Sequence, residues 1–427
     1  MLKLSIFLLF VAITTHTYWL RHINLRYLKQ HGATVPDGFA DTISQETLAK
    51  SSAYTLDSSR LGLWQSLFDN GLLVLFLFTG LLPLYDSFIT GLSGYFIVRG
   101  IFFFLLLSWA QSILELPFSL YGTFVVEACH GFNTMTPRLW LNDLFKSQVI
   151  DTLFMTIIIT ASFWLIQWSP QHWWLWVWVS LASFSFGMMF LSPYVIEPLF
   201  NKFEPVTEPE LTEEISAMME KAGLKVGRVM QMDASKRSRH SNAYFTGIGK
   251  VKRIVLFDTL FRQMSHGEIV AVLAHEIGHW KLRHVLKRLI VIEILLLGGM
   301  WCTWQAVQWS GLPGLLGMEE ASFPARLVII GFVSSLLMFP LTPISAWLSR
   351  RHERDADRFA CSITGDHESL ATALIKLSAE NLANLHPHPW YASFYYSHPP
   401  VVERVCYLRQ CPSYSQQLQR KAAEDTS

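Results

Sequence analysis

The chain is 427 residues long, 51% hydrophobic and 16% charged, with 34 Lys and Arg against 33 Asp and Glu for a formal net charge of +1. Soluble enzymes of this length rarely hold so many apolar residues, so the composition points to an integral membrane protein. No basic stripe interleaved with aromatics is present, so no nucleic-acid partner is expected.

In chain order, seven apolar stretches are long enough to cross about 30 Å of hydrocarbon: residues 4–20, 67–84, 97–120, 150–167, 173–194, 289–309 and 327–348. Asp69, Asn70 and Asp151 crowd the starts of the second and fourth. The first carries one early lysine and no small-x-small site after its apolar run, so it reads as a retained span, not a cleaved signal peptide. The segment after it holds Arg21, Arg26, Lys29, Lys50 and Arg60, and the third-to-fourth connection holds Arg138 and Lys146. The opposite side has chiefly Arg99 and Arg326. The positive-inside rule then puts the amino terminus outside and both long hydrophilic parts, 201–288 and 350–427, in the cytoplasm. Five cysteines (Cys129, Cys302, Cys361, Cys406, Cys411) without CxxC spacing fit reduced thiols on that side of a membrane.

Within 201–288, the runs Arg228–Met232, Ala243–Thr246 and Arg253–Phe257 predict short strands, with Gly247 through Lys250 turning between the last two. Asn242, Ala243 and Tyr244 are where an edge able to pair with an extended substrate is expected. A buried hairpin that only supports the following helix is the alternative. That helix opens with Ser265 and Glu268 in capping-box spacing. It carries His275-Glu276-Ile277-Gly278-His279. Positions i and i+4 share a helix face, so His275 and His279 can offer two imidazoles to one metal, with Glu276 beside them as general base for water. A plain amphipathic helix with two satisfied histidines is the competing reading.

A third ligand is needed. Leu282 and Val285 stand where a metzincin has Gly and His, which excludes that class. His284 is off that register and is expected at a surface or interface. Glu293 lies too far along the axis for a straight helix to bring it back. Glu353 and Asp357 share a face in Glu353-Arg354-Asp355-Ala356-Asp357, where one carboxylate can bind metal and the other can orient a ligand histidine. A solvated charge run flanked by Arg350, Arg351 and Arg358 explains the same residues. Spans six and seven, read as a hairpin, return this segment to the face that holds the HExxH helix.

Several motifs in order resemble the type 1 CAAX prenyl proteases, integral-membrane zinc endopeptidases. They are Gly131-Phe132-Asn133 with Thr136, Pro198 through Phe203, His240-Ser241-Asn242-Ala243-Tyr244, the HExxH helix followed by Trp280, Glu353 through Asp357, and Ser397-His398-Pro399-Pro400 with Glu403-Arg404. The resemblance covers nearly the whole chain. It implies a mainly α, multi-span helical bundle enclosing a chamber, with a cytoplasm-facing zincin-like α+β catalytic domain. On that scheme residues 1–200 are the amino-terminal membrane region and 201–288 the catalytic domain. Residues 289–349 are a membrane hairpin, and 350–427 complete the catalytic domain.

It further implies one Zn2+ on His275, His279 and Glu353, Asp357 behind them, Glu276 as base, and His398 and Arg404 steadying the oxyanion. Asn242, Ala243 and Tyr244 would bind substrate, a peptide or protein that can carry a lipidated carboxy-terminal tail. Gln111, Glu115, Glu293 and Gln305 sit at depths where lipid exposure costs several kcal/mol, so they are expected to line the chamber or pack between helices. The chain ends Lys421 through Ser427 without a reticular retrieval signal, which leads to the expectation of a bacterial inner membrane. Membrane-protein quality control, as in heat-shock-type zinc proteases, and a non-catalytic zinc scaffold are the alternatives. Glu276 argues against the scaffold.

Overall fold

The computed structural model describes residues 1–224, 228–246 and 253–409. Four long helices open the chain: α1 (Leu2–His31), α2 (Gln45–Phe78), the shorter α3 (Leu81–Leu92) and α4 (Phe96–Tyr121). They are followed by α5 (Pro137–Trp168), α6 (Trp173–Leu191) and the single turn α7 (Glu197–Phe200). Local chemistry sets the boundaries. Ser44 and Thr136 cap α2 and α5 by accepting from the backbone N–H three residues on, and Pro137 occupies the first turn of α5. Pro117 removes one rung from α4, which then widens into a π-helical turn over Gly122–Glu127. A second π turn, Ser192–Ile196, contains Pro193 and ends α6.

Among the described residues, six helices are long and apolar enough to cross a membrane: Leu2–His31, Gln45–Phe78, Phe96–Glu127, Pro137–Trp168, Trp173–Phe200 and Phe323–Thr364. The stretch predicted at 67–84 is displaced. Its helix runs from Gln45 to Phe78, and Gly80 at φ 95° ends it by taking a left-handed conformation that starts α3. The stretch at 289–309 falls within a 25-residue helix, His284–Gln308, which is not one of those six.

The catalytic part continues through β1 (Phe203–Pro205), α8 (Pro209–Lys221), β2 (Arg228–Met232), β3 (Ala243–Thr246), β4 (Arg253–Phe257), α9 (Asp258–Gln263) and α10 (His266–Lys281). The three strands have the bounds predicted from sequence; the turn at Gly247 through Lys250 lies outside the described residues. Sheet order is β1-β2-β4-β3, with β2 and β4 parallel and both outer pairs antiparallel. β3 is therefore an edge strand. The chain then runs out and back through α11 (His284–Gln308) and α12 (Phe323–Met338), and returns as α13 (Thr342–Thr364). It finishes with α14 (His367–Glu380), α15 (Pro389–Tyr395) and α16 (Val401–Arg409).

Two large apolar clusters, beside a small one around Met232, Ala234 and Val255, form among the described residues. One joins α8, α10, α13, α14 and the sheet through Leu211, Ile215, Leu256, Ile277, Ala360 and Ile375. The other lies in the bundle, around Phe10, Leu82, Phe103, Ile329 and Phe332. Asp86 tethers α3 to the start of α12 by accepting from the Ser322 N–H at 2.9 Å and from its hydroxyl.

Candidate metal centre and active site

α10 and α13 cross where neither can carry a larger residue. A Cβ on Gly278 would stand 3.1 Å from both the Cα and the carbonyl oxygen of Ala356, so this glycine permits close backbone approach. The approach brings Glu353 on α13 against the two histidines of α10. Ser265 and Glu268 form the expected capping box at the start of α10, and the Lys376 ammonium secures Glu268 at 2.7 Å. The helix that carries both imidazoles is thus held at its amino terminus as well as by its packed face.

The potential ligand atoms of His275, His279 and Glu353 lie within 4.8 Å of one another. The two Nε2 atoms are 3.2 Å apart, and they stand 3.3 and 3.2 Å from Glu353 Oε2 and Oε1. Ligand bonds of about 2.0–2.1 Å in a tetrahedron give edges of roughly 3.3 Å, so this set fits a small tetrahedral cation. Glu353 Oε2 is buried with no hydrogen-bond partner, as expected of an atom reserved for a metal. The residues present therefore fit the group.

Behind the ligands, His275 Nδ1–H donates to Asp357 Oδ1 at 2.8 Å, which leaves Nε2 with a lone pair for the metal. Arg404 donates to the same carboxylate in a fork, through Nε at 3.0 Å and Nη2 at 2.6 Å, and its Nη1 stands 3.8 Å from Glu353. All four side chains are buried. A buried carboxylate needs this bidentate cation to remain ionised. Burial opposes protonation of His275, yet its bonds to Asp357 and Glu353 outweigh burial and pull its pKa up to about 9, the signature of a pocket whose charge suits a cation. Burial raises the Glu276 carboxyl above its usual range, partly opposed by His275 and His279 beside it.

His284 departs from its expected place. It is 4% exposed, and its Nδ1 lies 3.1 Å from His279 Nδ1. The cause is Arg283, whose left-handed φ of 57° ends α10 and starts α11 in a new direction. His284 stacks on His352 at 4.1 Å. Burial first, then neighbouring His352 and His279, push its pKa down to about 4. A neutral His284 can accept the Nδ1–H of His279, and so fixes the tautomer of the second ligand.

His398 Nε2 is 3.4 Å from Glu353 Oε1, and its side chain is 63% exposed, which leaves it open to an incoming molecule. The structure thus brings His275, Glu276, His279, Glu353, Asp357, His398 and Arg404 to one place. Asn242, Ala243 and Tyr244 stand at the start of β3, which packs against α10, with Asn242 exposed and Ala243 buried. The Tyr244 hydroxyl donates to Glu197 Oε2 at 3.1 Å.

A two-histidine, one-carboxylate centre backed by an Asp–Arg pair and joined to a bundle of membrane helices defines a membrane-embedded metallopeptidase. Residues 24–202 match the family described as CAAX prenyl protease N-terminal, five membrane helices, and residues 205–411 match Peptidase family M48. The chain belongs to peptidase family M48. It is 34% identical over 410 residues to CAAX prenyl protease 1 homolog from Oryza sativa subsp. japonica, covering 90% of this chain and 93% of that protein. It is 31% identical over 411 residues to CAAX prenyl protease 1 from Saccharomyces cerevisiae, covering 90% of each. The crystal structure of S. mikatae Ste24p superposes with a TM-score of 0.88 at 29% identity, over 96% of this chain and 99% of that one.

Proposed function

We propose that the protein is a zinc endopeptidase that cleaves near the carboxy terminus of CAAX-type protein substrates, with a lipidated tail accommodated in a chamber between the membrane helices. The observation that carries this is the close set His275, His279 and Glu353 on the packed helices α10 and α13, with the half-buried Glu276 beside it. The zinc supplies a Lewis acid that polarises water and the scissile carbonyl. Glu276 takes the proton of the attacking water and passes it to the leaving amine. His398, the most open side chain of the group, donates to the oxyanion. Arg404 has two of its nitrogens committed to Asp357, which favours a positioning part for it over the oxyanion contact implied by the resemblance. The β3 edge pairs with the extended peptide, placing its scissile bond by backbone hydrogen bonds.

Metal analysis tests the centre: one zinc per chain in the purified protein, lost in His275→Ala and in Glu353→Ala together with peptide cleavage. Full zinc in both variants rejects it. Cleavage of prenylated against unprenylated peptides tests the substrate class. A preference for the prenylated one is expected, and equal turnover points to the broader quality-control reading. The positive-inside rule places the centre at the cytoplasmic face. After replacement of the native cysteines, a cysteine at Gly314 should react with an impermeant thiol reagent from outside sealed vesicles of native orientation. One at Asp366 should react only after permeabilisation. The reverse pattern inverts the protein.

A further inference from the structure

The stretch leading into β3 is held by a cluster in which the atoms dictate a protonation state. The Asn381 side chain reads both backbone groups of Ser241: its Nδ2 donates to the Ser241 carbonyl at 3.2 Å and its Oδ1 accepts the Ser241 N–H at 3.1 Å. That fixes which end of the amide is oxygen. His240 Nδ1, 3.0 Å from the same Oδ1, must therefore be a donor. On the other side of the ring, Nε2 lies 3.2 Å from Glu127 Oε2, while Glu127 Oε1 accepts the Tyr54 hydroxyl at 2.6 Å. An ionised carboxylate only accepts, so Nε2 must donate as well. A histidine that donates from both nitrogens is an imidazolium. Phe132 stacks on its face at 3.8 Å with 20° between the planes, a second favourable contact for a cation.

Glu127 ends the π turn that closes α4, so the bundle itself presents this carboxylate to the catalytic part. The arrangement repeats at the strand. Glu197 directly follows the π turn that ends α6, and it accepts from Tyr244 on β3 and from Arg253 on β4. The approach to the edge strand and the start of the strand itself are thus each held by a glutamate at the widened end of a membrane helix, where π turns recur at functional positions.

We infer that His240 is a charged clamp between Glu127 and Asn381 that sets the entry of β3 relative to the membrane bundle, making Glu127, His240 and Asn381 positioning residues for peptide binding. This rests on the reading of β3 as the substrate edge. A neutral ring has one N–H and must release either the bundle or Asn381, so the clamp holds while His240 is protonated. Burial lowers its proton affinity, but the bonds to Glu127 and Asn381 outweigh burial and raise it above the ordinary histidine value. The clamp is therefore complete below that raised value and lost as pH rises through it. The other groups that face the ring are Tyr54 from α2 and His130 from the loop after α4, the latter paired with Asp57 at 3.0 Å.

The test is KM and kcat against pH for an unlabelled peptide with the full-length protein in nanodiscs. Wild type should show KM rising on the alkaline side. Glu127→Gln should raise KM roughly tenfold near neutral pH, the scale of one charge-assisted hydrogen bond. It should also move the rise to lower pH, leaving kcat and bound zinc within about twofold. His240→Gln should abolish the pH dependence of KM, and the two changes together should cost no more than the larger alone. An unmoved alkaline rise in Glu127→Gln, or a fall in kcat at constant KM, overturns the clamp. Tyr54→Phe, which keeps the carboxylate in place, should give the same shift at smaller size if Glu127→Gln folds poorly. Peptides N-methylated at backbone positions near the scissile bond separate the two ideas. If wild type cleaves them as well as the parent peptide, the substrate-edge reading fails. If it discriminates while the variants behave as wild type, the clamp alone fails.

Discussion

The catalytic core and the membrane bundle are stabilised by different forces, and the contrast explains why each part responds differently to change. In the core, Ile277, Leu273 and Ala356 are fully buried on the helices that carry the site, and each large apolar side chain contributes roughly 1.5–3 kcal/mol by leaving water. In the bundle, Leu84, Phe145 and Ile294 are 69%, 71% and 63% exposed, and helices set among lipid tails gain little from burying apolar surface against one another. What remains there is shape and a few polar tethers such as Asp86 to Ser322.

Five substitutions sharpen or break this contrast. The largest effect is expected from Glu276→Gln, which keeps shape and metal but removes the base: turnover should fall by about two to four orders of magnitude, measured as kcat beside zinc content. Survival of near-wild-type kcat removes Glu276 from the chemistry. Next is Arg404→Gln, which leaves Asp357 buried without its cation and should cost about 3–5 kcal/mol, seen in the denaturation midpoint of the detergent-solubilised protein. Ile277→Ala and Ile294→Ala form a pair: about 2–5 kcal/mol for the first and within about 0.5 for the second. Equal costs would show that Ile294 is packed against protein instead of lipid. His284→Ala should weaken metal binding by about 10–100-fold, read by competition with a chelator, with no matching loss of thermal stability.

Legibility from sequence follows the same division. The cap at Ser265, the i, i+4 histidines and the three strands were readable because each depends on chemistry within a few residues. Glu353 was left open by spacing, and only the resemblance chose it, since its partners lie across two helices. His284 was missed because nothing in Lys281-Leu282-Arg283 announces a left-handed residue; a glycine there would have been the signal. The end of α2 was misplaced because Gly80 sits inside an apolar run that hydropathy reads straight through. Glu127 and His240 meet only through the fold, and no local pattern connects them.

Glu353, the third ligand of the proposed centre, is mounted on a rod that joins the membrane bundle. α13 follows α12 across the short 3-10 turn Phe339–Leu341, within the helical run Phe323–Thr364, and carries Glu353. At 1.5 Å per residue the lever from Thr342 to Glu353 is about 16 Å, so a rotation of about 4° swings the carboxylate by roughly 1 Å. Misplacement on that scale can cost a hundredfold in rate, and membrane helices adjust their tilt to the thickness of the surrounding hydrocarbon. The lipid is thereby mechanically geared to the metal: a thinner or thicker bilayer should change turnover even when the peptide, its concentration and the bound metal are the same.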